Sequence, residues 1–164
     1  MNREIGAPLP ATPGLPLGRE HDLSRLTELL HSGRWLITLR GPCGIGKTEL
    51  ALHLAHWMRM MYDHVQFVDL SALRDPSEVL NIIALALPLP ANGADPARLI
   101  REFAVQKRTL LILDNFEQLL PAAVRMDSLN SGDGTLQIVV TSRDALAFMK
   151  NMSIWLGRWR CPSA

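Results

Sequence analysis

The sequence predicts an α/β fold in three layers, a mainly parallel central sheet of about five strands sandwiched between helices. Three observations predict it. Short apolar, β-prone runs alternate along the chain with longer helix-forming segments, the pattern of a parallel sheet with helical crossovers. One run, Thr109-Leu110-Leu111-Ile112-Leu113, is almost wholly apolar, as a central strand covered on both faces has to be. Between the first strand and the helix after it lies a glycine-rich loop, Gly41 to Thr48. At 164 residues, with 48% hydrophobic and 20% charged, the chain is long enough to bury its own core.

The elements follow in order. Residues 1–16, with Pro8, Pro10, Pro13 and Pro16 among small residues, read as an extended lead-in. A helix from Arg19 or Glu20 to about His31 places Leu23, Leu26, Leu29 and Leu30 on one face, and Ser32-Gly33 ends it. Trp35–Leu39 is a short buried strand, and after the glycine loop Glu49–Met58 contains only helix-tolerant residues. Met58, Met60 and Met61 are expected to fill the end of that helix against the sheet. His53 and His56 on the same helix lack a neighbouring carboxylate and read as packing or solvent-exposed residues rather than metal ligands. Val65–Leu70 is a second strand. Asp75-Pro76 opens a helix to about Leu87 with Pro at its first position, and Asp95-Pro96 repeats the device ahead of a helix to about Gln106. After the apolar 109–113 strand come a helix over 118–129, a turn at Ser131-Gly132-Asp133-Gly134 and a buried strand at Leu136–Val140. Ile154-Trp155-Leu156 forms a last, short strand.

Function is carried by the loop. Gly41-Pro42-Cys43-Gly44-Ile45-Gly46-Lys47-Thr48 matches G-x-x-x-x-G-K-[ST] and stands between a strand and a helix, the setting a phosphate-binding loop requires. Glycines let the backbone turn its N–H groups inward around an anion, and the helix adds its free N–H groups and the positive end of its dipole. Lys47 is placed to reach the β- and γ-phosphates and Thr48 to ligate Mg²⁺, with Glu49 opening the helix. The motif thus predicts a P-loop that binds a nucleoside triphosphate with Mg²⁺, or descends from one that did.

Two further strand ends carry chemistry. The 109–113 strand ends in Asp114, where a carboxylate can hold Mg²⁺ beside Thr48 or simply start a turn. Asn115 occupies the position where many P-loop ATPases carry an acid. An amide orients water but accepts no proton at neutral pH, so slow turnover is expected. Glu117 either supplies the missing base or stabilises a helix N-terminus. The 136–140 strand leads into Thr141-Ser142-Arg143. Arg143 either reads the γ-phosphate or sits in a helix-capping turn, and Thr141 and Ser142 bond phosphate or water or serve as N-caps.

Composition narrows the partners. A formal charge of +1 offers no electrostatic case for direct nucleic-acid binding by this chain. Cys43 and Cys161 have no zinc spacing, and a disulfide at Cys43 would obstruct the loop, which points to a reducing cytoplasm. No run approaches membrane-spanning length and the N-terminus has no apolar leader, so no membrane is expected as a partner.

Taken together, several motifs resemble the nucleotide-binding domain of STAND-type signalling ATPases, the NB-ARC and AAA-like class, especially its bacterial transcriptional regulators. The matching residues are Leu17-Gly18-Arg19-Glu20, the loop with Glu49-Leu50-Ala51, and Phe67-Val68-Asp69-Leu70. Leu111 through Leu120 and Thr141-Ser142-Arg143 complete them. The resemblance implies that Leu17, Gly18 and Arg19 lie against adenine and ribose, and that Arg143 senses the γ-phosphate. It also implies a sensor strand lying between the phosphate-loop strand and the Asp114 strand. On this reading residues 17–147 form the nucleotide-binding domain and 148–164 a poorly matching strand and tail. The chain would be a core without the family's helical bundle and winged helix. Its partners would be an adenine nucleotide and another protein or a second copy. Two other readings share the loop: a non-catalytic nucleotide-binding remnant or adaptor, and a small-molecule kinase, for which the segment after Asp144 offers no lid.

Overall fold

The 109–114 segment is buried at all six positions, so it can only lie inside a sheet with a layer on each face. The computed structural model describes residues 8–12, 14, 18–90, 93–143 and 152–156. Its elements are α1 (Glu20–His31), β1 (Leu36–Arg40), α2 (Lys47–Met58), β2 (His64–Asp69), α3 (Val79–Ala86), α4 (Pro96–Gln106), β3 (Thr109–Asp114), α5 (Ala123–Met126), β4 (Leu136–Ser142) and β5 (Met152–Trp155). The five strands form one sheet in the order β2-β3-β4-β1-β5, and every pairing is parallel. The α/β class, the parallel sheet and the strand count are therefore as the sequence predicts. β4, the proposed sensor strand, does lie between β1 and β3.

Alternation along the strands builds two cores. Leu110 and Ile112 of β3 join Ile37, Leu39, Val139 and Ile154 beneath α1 and α2. Leu111 and Leu113 join Leu36, Ile138 and Val140 beneath α3, α4 and α5. All strands run the same way, so their C-terminal ends share one edge. There Asp69 is in register with Asp114, and Arg40 with Ser142.

Several boundaries differ from expectation, each for a local reason. No single helix spans 118–129. The chain forms 3₁₀ turns at Phe116–Ala122 and Asp127–Leu129 around the four-residue α5. Pro121 lacks a backbone N–H and crowds the preceding turn, and Leu119 breaks from helical geometry at φ −116° and ψ 20°. The buried Phe116, Leu119 and Ala122 recur every third residue, the period at which 3₁₀ side chains eclipse. β4 runs two residues past Val140, because β1 continues to pair with Thr141 and Ser142. Thr141 and Ser142 are thus strand residues, not helix caps.

At the end of α2 only Met58 is buried. Met60 is 95% exposed and Met61 partly so, because α2 stops at Met58. His53 is buried, and His56 Nε2 donates to the Pro10 carbonyl at 2.8 Å. That bond, with Leu9 against the α1–α2 core, lays part of the lead-in along α2. The short last strand forms as β5, within the stretch read as strand and tail. Arg158, Trp159, Arg160 and Cys161 lie outside the described residues. No helix among the described residues is long and apolar enough to cross a membrane.

At the N-terminal ends of the strands a buried polar network locks α1 to the sheet. The Tyr62 hydroxyl donates to Gln137 Oε1, while Gln137 Nε2 donates to the carbonyls of Leu30 at 2.9 Å and Arg34 at 2.8 Å. Replacing Tyr62 by Phe leaves a buried acceptor without its donor and is expected to cost about 1–3 kcal/mol in urea denaturation.

The turn before β4 is organised by Asp133, whose Oδ1 accepts from Ser131 Oγ, Thr135 Oγ1 and Thr135 N. These bonds, the Ser131 hydroxyl first, lower its pKa to about 2. A depressed carboxylate stabilises the fold above its unfolded pKa, and that contribution fades as pH falls through the folded value. The wild type is therefore expected to exceed Asp133→Ala in stability near pH 7. That margin should shrink from about pH 4 downward and disappear below the folded pKa of about 2, as thermal unfolding followed across pH would record.

Candidate functional site

The glycine loop leaves β1 at Gly41 and enters α2 at Lys47. Gly44 and Gly46 adopt left-handed φ of 75° and 86°, a region that side chains disfavour and glycine tolerates. Gly46 is the N-cap of α2 and no side chain caps the helix, so its first N–H groups and dipole face the loop's concavity. Pro42, Cys43 and Gly44 are exposed at the tip, Ile45 and Glu49 are half-buried, and Cys43 is a free thiol. Lys47 Nζ donates to the Gly41 carbonyl at 2.8 Å and the Pro42 carbonyl at 3.0 Å. The ammonium is thereby folded across the loop.

The loop meets β3 at Asp114. Thr48 Oγ1 lies 2.9 Å from both Asp114 oxygens, and the Thr141 hydroxyl donates to Asp114 Oδ1. Asn115 Nδ2 donates to Asp114 Oδ2 at 3.1 Å and to Asp69 Oδ1 at 3.1 Å. Asp114 is 3% exposed. Burial pushes its carboxyl above the usual range. The nearby Asp69 and Glu117 push the same way, against the hydrogen bonds from Thr141 and Thr48. A group in that condition is relieved by a cation, and hydroxyl with carboxylate oxygen is the donor set a hard divalent ion takes. Among the described residues no cluster of three or more His, Cys, Asp or Glu is arranged to hold a metal ion. One hydroxyl and one carboxylate would leave most of a cation's coordination to waters or to oxygens of a ligand.

Asn115 has φ 63°, the one non-glycine among the described residues with positive φ. Its N–H donates to Thr141 Oγ1 at 3.0 Å. Glu117 and Arg143, read separately from sequence, are brought together: Arg143 Nε lies 3.1 Å from Glu117 Oε1. Glu117 Oε2 is buried without a hydrogen-bond partner in the structure. Arg19 is buried, pairs with Asp22 at 2.9 Å, and donates through Nη2 to the Ile45 carbonyl of the loop at 2.9 Å. Gly18 precedes it at φ 77°, and Leu17 lies outside the described residues.

Asp69 was given no role by sequence reasoning. Burial raises its carboxyl, but hydrogen bonds from Ser71 and Asn115 outweigh that and hold it below the usual range. Like Asp114, it is an acid at the end of a strand, but that strand carries His64 and Gln66 and is only partly buried.

Residues 30–156 match the family described as AAA domain. Over 130 residues the chain is 34% identical to "Putative HTH-type transcriptional regulator Rv0890c" of Mycobacterium tuberculosis, a stretch covering 78% of this chain and 14% of that protein. The chain thus spans a small part of that relative's length. It superposes on Cdc6p from Pyrobaculum aerophilum with TM-score 0.61 at 19% identity, covering 92% of this chain and 47% of that one. It also superposes on a Signal Transduction ATPase with Numerous Domains (STAND) protein with a tetratricopeptide repeat sensor from Pyrococcus horikoshii. There the TM-score is 0.60 at 18% identity, covering 88% of this chain and 24% of that one. At such identities the superpositions speak to fold alone.

A Cβ added at Gly41 would come 2.9 Å from Ile45 Cγ2 and 3.0 Å from the Leu156 carbonyl oxygen. That carbonyl belongs to the chain leaving β5, whose N–H is held by the Arg40 carbonyl at 2.7 Å. Gly41→Ala is therefore expected to destabilise by about 1–3 kcal/mol in thermal or urea unfolding.

Proposed function

The chain belongs to the AAA domain family, and on that premise we propose that it binds ATP and ADP with Mg²⁺ as a STAND-type signalling core that hydrolyses ATP slowly. The observation that carries this reading is the meeting of the loop helix with the β3 carboxylate, Thr48 Oγ1 to Asp114 at 2.9 Å. Residues 41–49 cradle the phosphates, and Lys47 exchanges its two loop carbonyls for phosphate oxygens. Thr48 and Asp114 hold the Mg²⁺, which neutralises phosphate charge when bound. Gly18 and Arg19 flank the adenine and ribose.

Hydrolysis is slow because the residue after Asp114 is an amide. Asn115 can orient a water but cannot take its proton, and Glu117 is engaged by Arg143. Arg143 leaves Glu117 for the γ-phosphate, so nucleotide state is reported by which partner it holds. The nucleotide-binding core is residues 17–147, after the 1–16 lead-in, and β5 from the 148–164 stretch completes the sheet edge. Its output is a surface for another protein or a second copy, without direct nucleic-acid or membrane contact, in a reducing cytoplasm that suits the exposed Cys43 thiol. The relative named "Putative HTH-type transcriptional regulator", 34% identical over 130 residues, supports the regulatory part of this reading.

Isothermal titration of the purified chain with ATP and with ADP, Mg²⁺ present, tests the reading. Micromolar binding is expected, and Lys47→Ala is expected to weaken it about 10- to 100-fold, the worth of a lost charged hydrogen bond. A chain that unfolds cooperatively yet gives no heat with either nucleotide would refute it.

A further inference from the structure

We infer that Asp69 is a positioning residue for hydrolysis, clamping the Asn115 carboxamide so that its oxygen faces the attacking water. The inference rests on the ATP reading above and deepens it. Three strand ends converge on Asn115. From β2, Asp69 Oδ1 accepts Asn115 Nδ2 at 3.1 Å. From β3, Asp114 Oδ2 accepts the same nitrogen at 3.1 Å. From β4, Thr141 Oγ1 accepts the Asn115 backbone N–H at 3.0 Å.

A carboxamide is planar, with its nitrogen and oxygen on opposite branches. Two carboxylates on the nitrogen therefore turn Oδ1 away from both, and the reverse orientation would set oxygen against oxygen. The clamp also accounts for the backbone. Left-handed φ, here 63°, costs a non-glycine residue about 1–2 kcal/mol, and the three hydrogen bonds offset it. Asn is among the residues that enter this region most readily.

The same geometry explains why position 115 holds an amide. An Asp there would offer no donor to Asp69 or Asp114 and would add a further negative charge to a cluster that already holds Asp69, Asp114 and Glu117. The acid is carried instead on the next strand. Asp69 is fixed there by register with Asp114 and by the Ser71 N–H, 2.9 Å from the same Oδ1. Asp69 itself touches neither nucleotide nor water in this scheme. It acts through Asn115.

One oxygen of Asp69 takes both hydrogen bonds, which makes the test specific. Asp69→Asn keeps an acceptor at that place, whereas Asp69→Ala removes it. With the full chain and Mg²⁺-ATP, Asp69→Ala is expected to lower kcat about 10- to 100-fold with KM within about twofold, the scale of a misoriented reacting group. Asp69→Asn should keep kcat within about threefold of wild type, since one neutral acceptor replaces another. Asn115→Ala should match Asp69→Ala, and the double variant should fall no further, because the two residues act as one unit. In the nucleotide-free protein, the Asn115 side-chain amide resonances in a ¹⁵N–¹H spectrum should move on Asp69→Ala and stay near their wild-type places on Asp69→Asn.

Wild-type kcat in Asp69→Ala, or losses that multiply in the double variant, would overturn the inference. So would an Asp69→Asn variant as impaired as Asp69→Ala. If the wild type turns over no ATP, the hydrolysis reading itself fails, and the inference with it. Unmoved amide resonances alongside wild-type turnover would sink this inference alone.

Discussion

One buried carboxylate organises the functional end of this molecule. Asp114 sits at the end of a strand buried at every position, and Thr48 from α2, Thr141 from β4 and Asn115 from its own turn all converge on it. Removing a carboxylate from water is costly unless hydrogen bonds replace the lost hydration. Each of those partners also depends on the sheet. A one-residue slip of β3 would turn Asp114 toward the opposite face and away from Thr48 and Thr141. The two apolar cores, through the alternation of β3, thus decide where the polar site falls.

The described site residues are largely paired with each other. Lys47 holds two loop carbonyls, Thr48 holds Asp114, and Arg143 holds Glu117. Under the proposed function a nucleotide gains only the difference between these internal bonds and its own, which keeps affinity moderate and makes binding an exchange of partners. An exchange of that kind can be felt elsewhere. Arg19 reaches from the start of α1 to the Ile45 carbonyl, so a loop that tightens on phosphate also pulls on α1.

The opposite end of the sheet answers a different demand. There the Tyr62–Gln137 network joins the carbonyls of Leu30 and Arg34 to β4, satisfying polar groups that would otherwise be buried alone. That end is tied by a closed set of hydrogen bonds, whereas the loop end is built from groups with alternative partners.

Sequence alone determined the class, most of the succession of elements and the shape of the glycine loop, because each rests on local information. Alternation and apolar runs encode strands, Asp-Pro pairs encode helix starts, and G-x-x-x-x-G-K-[ST] encodes a backbone shape that only glycines permit at two positions. It misjudged the 118–129 segment, expected as one helix, where Pro121 and the three-residue spacing of the buried Phe116, Leu119 and Ala122 give 3₁₀ turns instead. It left Asp69 without a role and held Glu117 and Arg143 apart. Those facts are relations between strands distant in sequence, and only the parallel register of β2, β3 and β4 brings the side chains within hydrogen-bonding distance. Residue types can be read from the chain. Which acid faces which amide is decided by the pairing of strands, and pairing is a property of the folded sheet.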